Sequence, residues 1–258
     1  MLWICLHFPD LPLAVFVRAD AAGLPAVTAS ASHRPDVLVA NAAARVRGIV
    51  AGLSIAGALA LDPEIVIHLR DERAEVSALE RTALWAGQWT STVAIESPAC
   101  VLLEISGALR YFGGLERLIG RIRAGLGEVG FEGVLAVAPT PSAASLLARG
   151  GCETTIEDSS AIERAIGALP IDLLAPARDS LPTLASIGVE SIGDLLALPR
   201  DGVARRFGQA LLDELDRARG QLPDARALFV ASERYEGQLE LSAPVEETEA
   251  LLFGARRL

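Results

Sequence analysis

The chain opens on an alternation of apolar positions. In LWICLHF, residues 2–8, Ile4, Leu6 and Phe8 recur at every second place and Pro9 and Pro12 close the run. That pattern predicts a short buried strand leaving through a turn. Residues 19–63 are small and alanine-rich, with two short helical stretches, VANAAARVRG and SIAGALAL, separated by IVAGL and punctuated by Gly48 and Gly52. A longer helical period follows, in which Asp71 is placed to cap a helix with Val76, Leu79, Ala83 and Ala86 on one face, ending near residues 87–89. Strands are predicted over 92–95 and 101–105, with Ser97 and Pro98 in the turn and Ser106-Gly107 at the end. Gly113-Gly114 then introduces a helix over 115–129, GVLAVA at 133–138 reads as a strand, and Pro141 opens a helix running to Arg149.

The order is strand, helix, strand, strand, helix, strand, with a small region inserted after the first strand. This is the split βαβ pattern of a ferredoxin-like α+β fold, a superfold that hosts many unrelated functions. The text changes after Ala168 into helices with tight glycine turns, first LPTLASIGVESIGDLLALP and then RDGVARRFGQALLDELDRARG. The helices around IGVESIG resemble a helix-hairpin-helix, whose glycine-bearing turn aims backbone N–H groups at a DNA phosphate while the next helix adds its dipole. Beyond Pro223 a strand-like QLELS and an acidic-start helix stop at Leu258, so the last module looks unfinished.

With 258 residues, 51% of them hydrophobic, and a mean hydropathy of +0.38, the chain can bury a large core in one or two domains, and disorder is excluded. The net charge is −10, and all 23 basic residues are arginine. Without lysine there is no Walker-type phosphate loop, no lysine-bound aldehyde cofactor and no lysine-linked nucleotide. The acid excess argues against coating nucleic acid, so any DNA contact must be local. Cys5, Cys100 and Cys152 are too scattered for a disulfide framework or a zinc site, and His7, His33 and His68 add no ligand spacing. The start lacks a signal-peptide pattern and no apolar run reaches ~18 residues, which predicts a cytoplasmic chain with no membrane partner.

Five segments in order resemble the Y-family translesion DNA polymerases, and within them the ImuB-type branch of bacterial mutagenesis proteins. They are LWICLHFPDLPL, ANAAARVRGIVAGLSIAGALAL, LLEISGALRYFGG, GVLAVAPTPSAASLLAR and SIGVESIGDLLALP. The resemblance implies a ferredoxin-like palm over 1–18 and 71–168, a small helical fingers insertion over 19–70 and an all-α helix-hairpin-helix thumb over 169–222. Residues 223–258 would be a linker and the start of an incomplete, truncated α+β little finger.

The resemblance also implies a two-metal site, held by an aspartate on the first strand and an Asp-Glu pair in the central hairpin. Counted along this chain, the pair falls on Ala99 and Cys100, the leading aspartate on Cys5 and a second acid on His7. None supplies a hard-oxygen site for Mg²⁺. On the first fingers helix the family's triphosphate-gripping tyrosine position is Ala42, its arginine is kept as Arg45, and the palm lysines are missing. The expectation is no catalytic residue, no bound metal and no cofactor, with Arg45 a relic of nucleotide binding.

Asp10, Glu96 and Glu104 are the acids near the strand ends and the candidates for a relocated metal site, which needs their carboxylates to converge. The plainer reading puts Glu104 on the outward face of its strand and the others in turns. Cys5 and Cys100 read as small core fillers, His7 as a hydrogen-bonded strand histidine, and Trp3, Trp85 and Trp89 as core or interface anchors. Arg45 and Arg47 read equally well as a solvated helix face. Across 176–220 six arginines face seven acids, but within PRDGVARRFG three arginines face one aspartate. Gly188, Gly193, Gly202, Arg205, Arg206 and Gly208 are therefore the residues expected to meet DNA phosphates.

The function the resemblance implies is a non-catalytic adaptor or scaffold in SOS-induced translesion synthesis. It would bind DNA weakly and without reading sequence, and join an error-prone replicative-type polymerase and a RecA-like mutagenesis partner to a sliding clamp. The rivals are an active, low-efficiency polymerase using displaced acids, and a protein-interaction module with no DNA role.

Overall fold

The computed structural model describes residues 1–16 and 24–231. The elements in chain order are β1 (Trp3–His7), α1 (Leu11–Ala14), β2 (Ala26–Ala29), β3 (Val37–Ala40), α2 (Ala42–Val46), α3 (Ile55–Leu61) and β4 (Val66–Leu69). Next come α4 (Glu72–Ala86), β5 (Val93–Glu96), β6 (Cys100–Glu104), α5 (Leu109–Phe112), α6 (Leu115–Val129), β7 (Val134–Ala138) and α7 (Pro141–Arg149). Five helices end the described part: α8 (Ile162–Gly167), α9 (Leu181–Ser186), α10 (Ile192–Leu196), α11 (Arg200–Phe207) and α12 (Gln209–Ala218).

The main sheet has the order β5-β6-β1-β7 with antiparallel neighbours, the ferredoxin-like arrangement that the order of elements predicts. Strand β1 lies in its interior and serves two cores at once. Ile4, Leu6 and Phe8 pack with α4 and α6 on one face, while Trp3 and Cys5 pack with α7 and the C-terminal helices on the other. The period-2 pattern thus divides one short strand between two hydrophobic layers.

Asp71 caps α4 by accepting hydrogen bonds from the Arg73 and Ala74 N–H groups, both at 3.0 Å. Leu79, Ala83 and Ala86 are buried as their spacing predicts, whereas Val76 is exposed. The buried stripe begins instead at Glu75, a carboxylate only 3% exposed that Arg70 grips with two N–H donors at 2.8 Å each.

The inserted module holds the two expected helices, α2 and α3, capped by the Asn41 and Ser54 side chains. In addition it contains a three-stranded sheet of order β3-β2-β4, antiparallel between β2 and β3 and parallel between β2 and β4. This sheet and the helices share a small core of their own, including Val27, Val37, Ile49, Ala58 and Ile65.

Helix α7 starts at Pro141 behind a Thr140 cap and is buried along most of its length between the sheet and the last helices. Thr140 also donates its hydroxyl to the Ala218 carbonyl at the end of α12, at 2.7 Å. The chain then returns along the sheet edge, where the Phe229 N–H donates to the Val93 carbonyl at 2.7 Å and Leu228 bridges Ala94. The expected start of a little finger, beyond Ala231, lies outside the described residues. Among the described residues no helix is long and apolar enough to cross a membrane.

Candidate nucleic-acid interface

The centre of the palm is packed. Cys5 and Cys100 are 0% and 2% exposed and sit with Trp3, Ala94 and Leu102 under α7. Burial, reinforced by the contact with Cys100, pushes the Cys5 thiol well above its ordinary range, so it stays a protonated apolar filler. Ala99 packs against the opposite core, and its carbonyl accepts the Phe8 N–H at 2.9 Å. His7 lies opposite Cys100 on one side and Val134 on the other. Burial lowers its pKa, and its Nδ1 is buried without a hydrogen-bond partner among the described residues. A backbone hydrogen bond with Ala148 of α7 offsets part of the effect of burial, so the expected hydrogen bonding is met in part and Nδ1 is left without a partner.

The three acids near the strand ends go to three different places. Asp10 accepts from Arg45 Nη2 at 2.9 and 3.1 Å. Glu96 is held by the Ser145 hydroxyl and by Arg226. Glu104 accepts from the Ser106 N–H at 3.1 Å and lies opposite Trp3, while Cys100 lies opposite His7. Four residues of strand, about 13 Å, separate the Glu104 end of β6 from the hairpin. Among the described residues no three His, Cys, Asp or Glu side chains cluster as metal ligands. Arg47 is likewise engaged, on the buried carboxylate of Asp62, so neither fingers arginine is a merely solvated side chain.

The glycines and arginines singled out for phosphate contact fall into two groups. Gly188 makes the turn between α9 and α10 at φ +78, a left-handed conformation that favours glycine. Gly193 lies inside α10, where a Cβ would stand 2.9 Å from the Gly167 carbonyl oxygen, so its role is close helix packing. The donors of this hairpin are mostly used internally. Glu190 and Ser191 N–H groups donate to Asp194 Oδ2 at 3.2 and 2.9 Å, Asp194 N–H to Ser191 Oγ, and Ile192 N–H to the Leu169 carbonyl. Hydrogen bonds from the Ser191 side chain and backbone hold the Asp194 carboxyl below its usual range, so the turn carries a negative charge of its own.

The second group converges where α11 meets α12. Gly202 is an ordinary residue of the first turn of α11 with open space around it, while Gly208 forms the joint at φ +92. Asp216 takes Arg200 through bonds of 3.0 and 2.6 Å, which raises the Arg200 pKa further. Arg205 and Arg206 remain exposed in the last turn of α11 with no ion pair among the described residues. Helix α12 begins immediately after Gly208 without a side-chain cap, so its first N–H groups and positive dipole end face the same locus.

One feature escaped the sequence pattern: a cleft of about 460 Å³ between the Ser97-Pro98 turn, α7 and α12, into which Arg149, Arg178 and Arg217 project beside Glu214. Burial raises the Glu214 pKa. Arg149 is visible in the sequence only as the end of a helix, and nothing local marks its meeting with residues some thirty and seventy positions away.

A ferredoxin-like palm, an inserted mixed module and a helical thumb seated on α7 together define a Y-family polymerase core. The chain belongs to the impB/mucB/samB family, whose sequence profile matches residues 14–149, just over half of its length. It is 30% identical over 204 residues to Protein ImuB of Caulobacter vibrioides, in strain NA1000 / CB15N and equally in strain ATCC 19089 / CIP 103742 / CB 15. That alignment covers 79% of this chain but 44% of the relative, so the chain spans less than half the length of the curated relatives it matches. Among solved structures, DinB from Sulfolobus solfataricus superposes with a TM-score of 0.65 at 19% identity, covering 88% of this chain and 69% of that one. The insertion ternary complex of Dbh DNA polymerase gives 0.66 at 19% identity over the same shares, 88% and 69%. At such identity the likeness establishes the fold.

Proposed function

We propose that this chain is a non-catalytic Y-family polymerase homologue that engages DNA as an adaptor in SOS-induced translesion synthesis. One observation carries the reading. The positions that the resemblance assigns to the family's carboxylates, Ala99, Cys100, Cys5 and His7, carry no carboxylate and are packed into the palm, and Asp10, Glu96 and Glu104 are each hydrogen-bonded elsewhere. Two-metal chemistry requires carboxylate oxygens that converge on the ions. Arg45 fits the same picture, since Asp10 neutralises the guanidinium that would have met a triphosphate.

The mechanism is geometric. Palm and fingers serve as a protein surface, while Arg205, Arg206 and the uncapped start of α12 hold duplex phosphates without reading bases. Gly202 and Gly208 belong to this contact as its helix turn and its joint, and Gly188 and Gly193 shape the neighbouring hairpin. Synthesis would be done by an error-prone replicative-type polymerase, brought with a RecA-like mutagenesis partner to the sliding clamp, in the cytoplasm.

Anisotropy titration of a labelled duplex against salt tests the DNA contact. The expected result is weak affinity that falls as salt rises, and a log–log slope made shallower by about 1–2 in the Arg205→Ala, Arg206→Ala double variant. Affinity and slope unchanged in that variant would remove the thumb contact, and no salt-dependent affinity at all would favour the protein-interaction rival.

A further inference from the structure

The palm face opposite the thumb bears a row of aromatic side chains that catalysis, metal binding and phosphate contact leave unused. Trp85, in the last turn of α4, and Trp89, in the turn just beyond it, meet edge to face at 6.1 Å. Trp89 meets Phe112 of α5 at 5.3 Å, and Phe112 meets Tyr111 at 4.9 Å. Trp85 lies against Gly125 of α6, where a Cβ would stand 2.8 Å from the indole ring. The glycine thus lets the ring settle between the two helices. Tyr111, at the end of the row, is 85% exposed.

Arginines rim these rings. Arg121 stands 5.7 Å over the Phe112 ring, and Arg117 folds against Gly113. With Arg110 they are three exposed cations that form no ion pair among the described residues, in a chain whose net charge is −10. Tryptophan, tyrosine and arginine are the side chains that dominate binding energy at protein interfaces. The exposed Tyr111 ring is stiff and loses little conformational freedom on binding, and the unpaired cations beside it select acidic partners.

We propose that the exposed patch of Tyr111 with Arg110, Arg117 and Arg121, where α5 meets α6, docks an acidic segment of a partner protein whose apolar side chain packs on the Tyr111 ring. A single-stranded nucleic acid fits less well. The ring faces of Trp85, Trp89 and Phe112 are already taken up by edge-to-face neighbours and by Arg121, leaving Tyr111 alone for base stacking. The surface stands apart from the DNA contact, since α4 and α6 cover one face of the sheet while α7 and the thumb cover the other.

The test titrates a fluorescein-labelled amphipathic peptide of leucine and glutamate into the protein, beside its leucine–glutamine counterpart and an oligo-dT competitor. Binding of the acidic peptide is expected, weaker by about ten-fold for the glutamine peptide, and weakened by about ten-fold or more in Tyr111→Ala and in Arg121→Glu. Both substitutions are at exposed positions, and unchanged far-UV circular dichroism checks the fold. Arg205→Ala with Arg206→Ala should leave peptide affinity unaltered, which separates this outcome from failure of the DNA contact. No binding of the acidic peptide, or binding indifferent to Tyr111 and Arg121, overturns the proposal. Competitive displacement of the peptide by oligo-dT reassigns the patch to nucleic acid and overturns the proposal equally.

Discussion

Cys100 is the small thiol at the position where the resemblance expects a carboxylate, and the surroundings have closed around it. Trp3, Ala94, Leu102 and α7 leave this position with a few per cent of its surface in water. Cys100→Glu should therefore bury an unpaired charge and lower stability by about 3 kcal/mol at neutral pH, measured by urea denaturation. The buried carboxyl would have a raised pKa, so the loss should shrink as pH falls and the side chain becomes neutral. A Cys100→Glu protein as stable as the parent at neutral pH would mean that the site still has room for an acid and a metal. Core filling by Cys5 and Cys100 was legible in the sequence because a buried thiol behaves as a small hydrophobe. The burial of Glu75 and Asp62 was not, since each depends on an arginine, Arg70 or Arg47, that folding brings to it. The orphaned Nδ1 of His7 was equally hidden, because what lies beside a strand residue is set by its neighbours across the sheet.

Among the elements, those with local signals were read nearly to the residue. Asp71 before α4, Gly113-Gly114 before α6 and Pro141 at the start of α7 announce their helices by caps and turns that need no tertiary partner. Strands β2, β3 and β4 are four residues each, too short to display an alternation, and β2 pairs in parallel with β4 some forty positions away. Their sheet therefore stayed invisible beside the helical stretches around it. Thr140 shows what a cap can do beyond its own helix. It accepts the Ala143 N–H at 3.1 Å and donates to Ala218 at 2.7 Å, joining the start of α7 to the end of α12. Thr140→Val keeps the shape and removes both bonds, and should cost about 1–2 kcal/mol, seen as a fall in Tm of about 3–6 °C. A Tm unchanged within a degree would mean that this junction does not hold the thumb on the palm.

Over the whole molecule, the composition already excluded lysine chemistry, and its acid excess required any nucleic-acid contact to be local. What it could not reveal is how the arginines are shared out. Asp10, Asp62, Glu75, Asp216 and Glu96 hold Arg45, Arg47, Arg70, Arg200 and Arg226. The exposed arginines discussed above remain on opposite sides of the sheet, Arg205 and Arg206 on the thumb side and Arg110, Arg117 and Arg121 beside the row of aromatic rings. With the proposed phosphate contact at one end, the proposed docking patch on the opposite face and a packed centre, the molecule would bring other components together rather than transfer nucleotides. Primer extension on a labelled primer–template, with Mg²⁺ or Mn²⁺ and beside an active Y-family polymerase, tests this most directly. No templated incorporation above the protein-free background is expected with either ion. Robust templated incorporation by this chain, abolished by Glu104→Ala or Glu96→Gln, would contradict it.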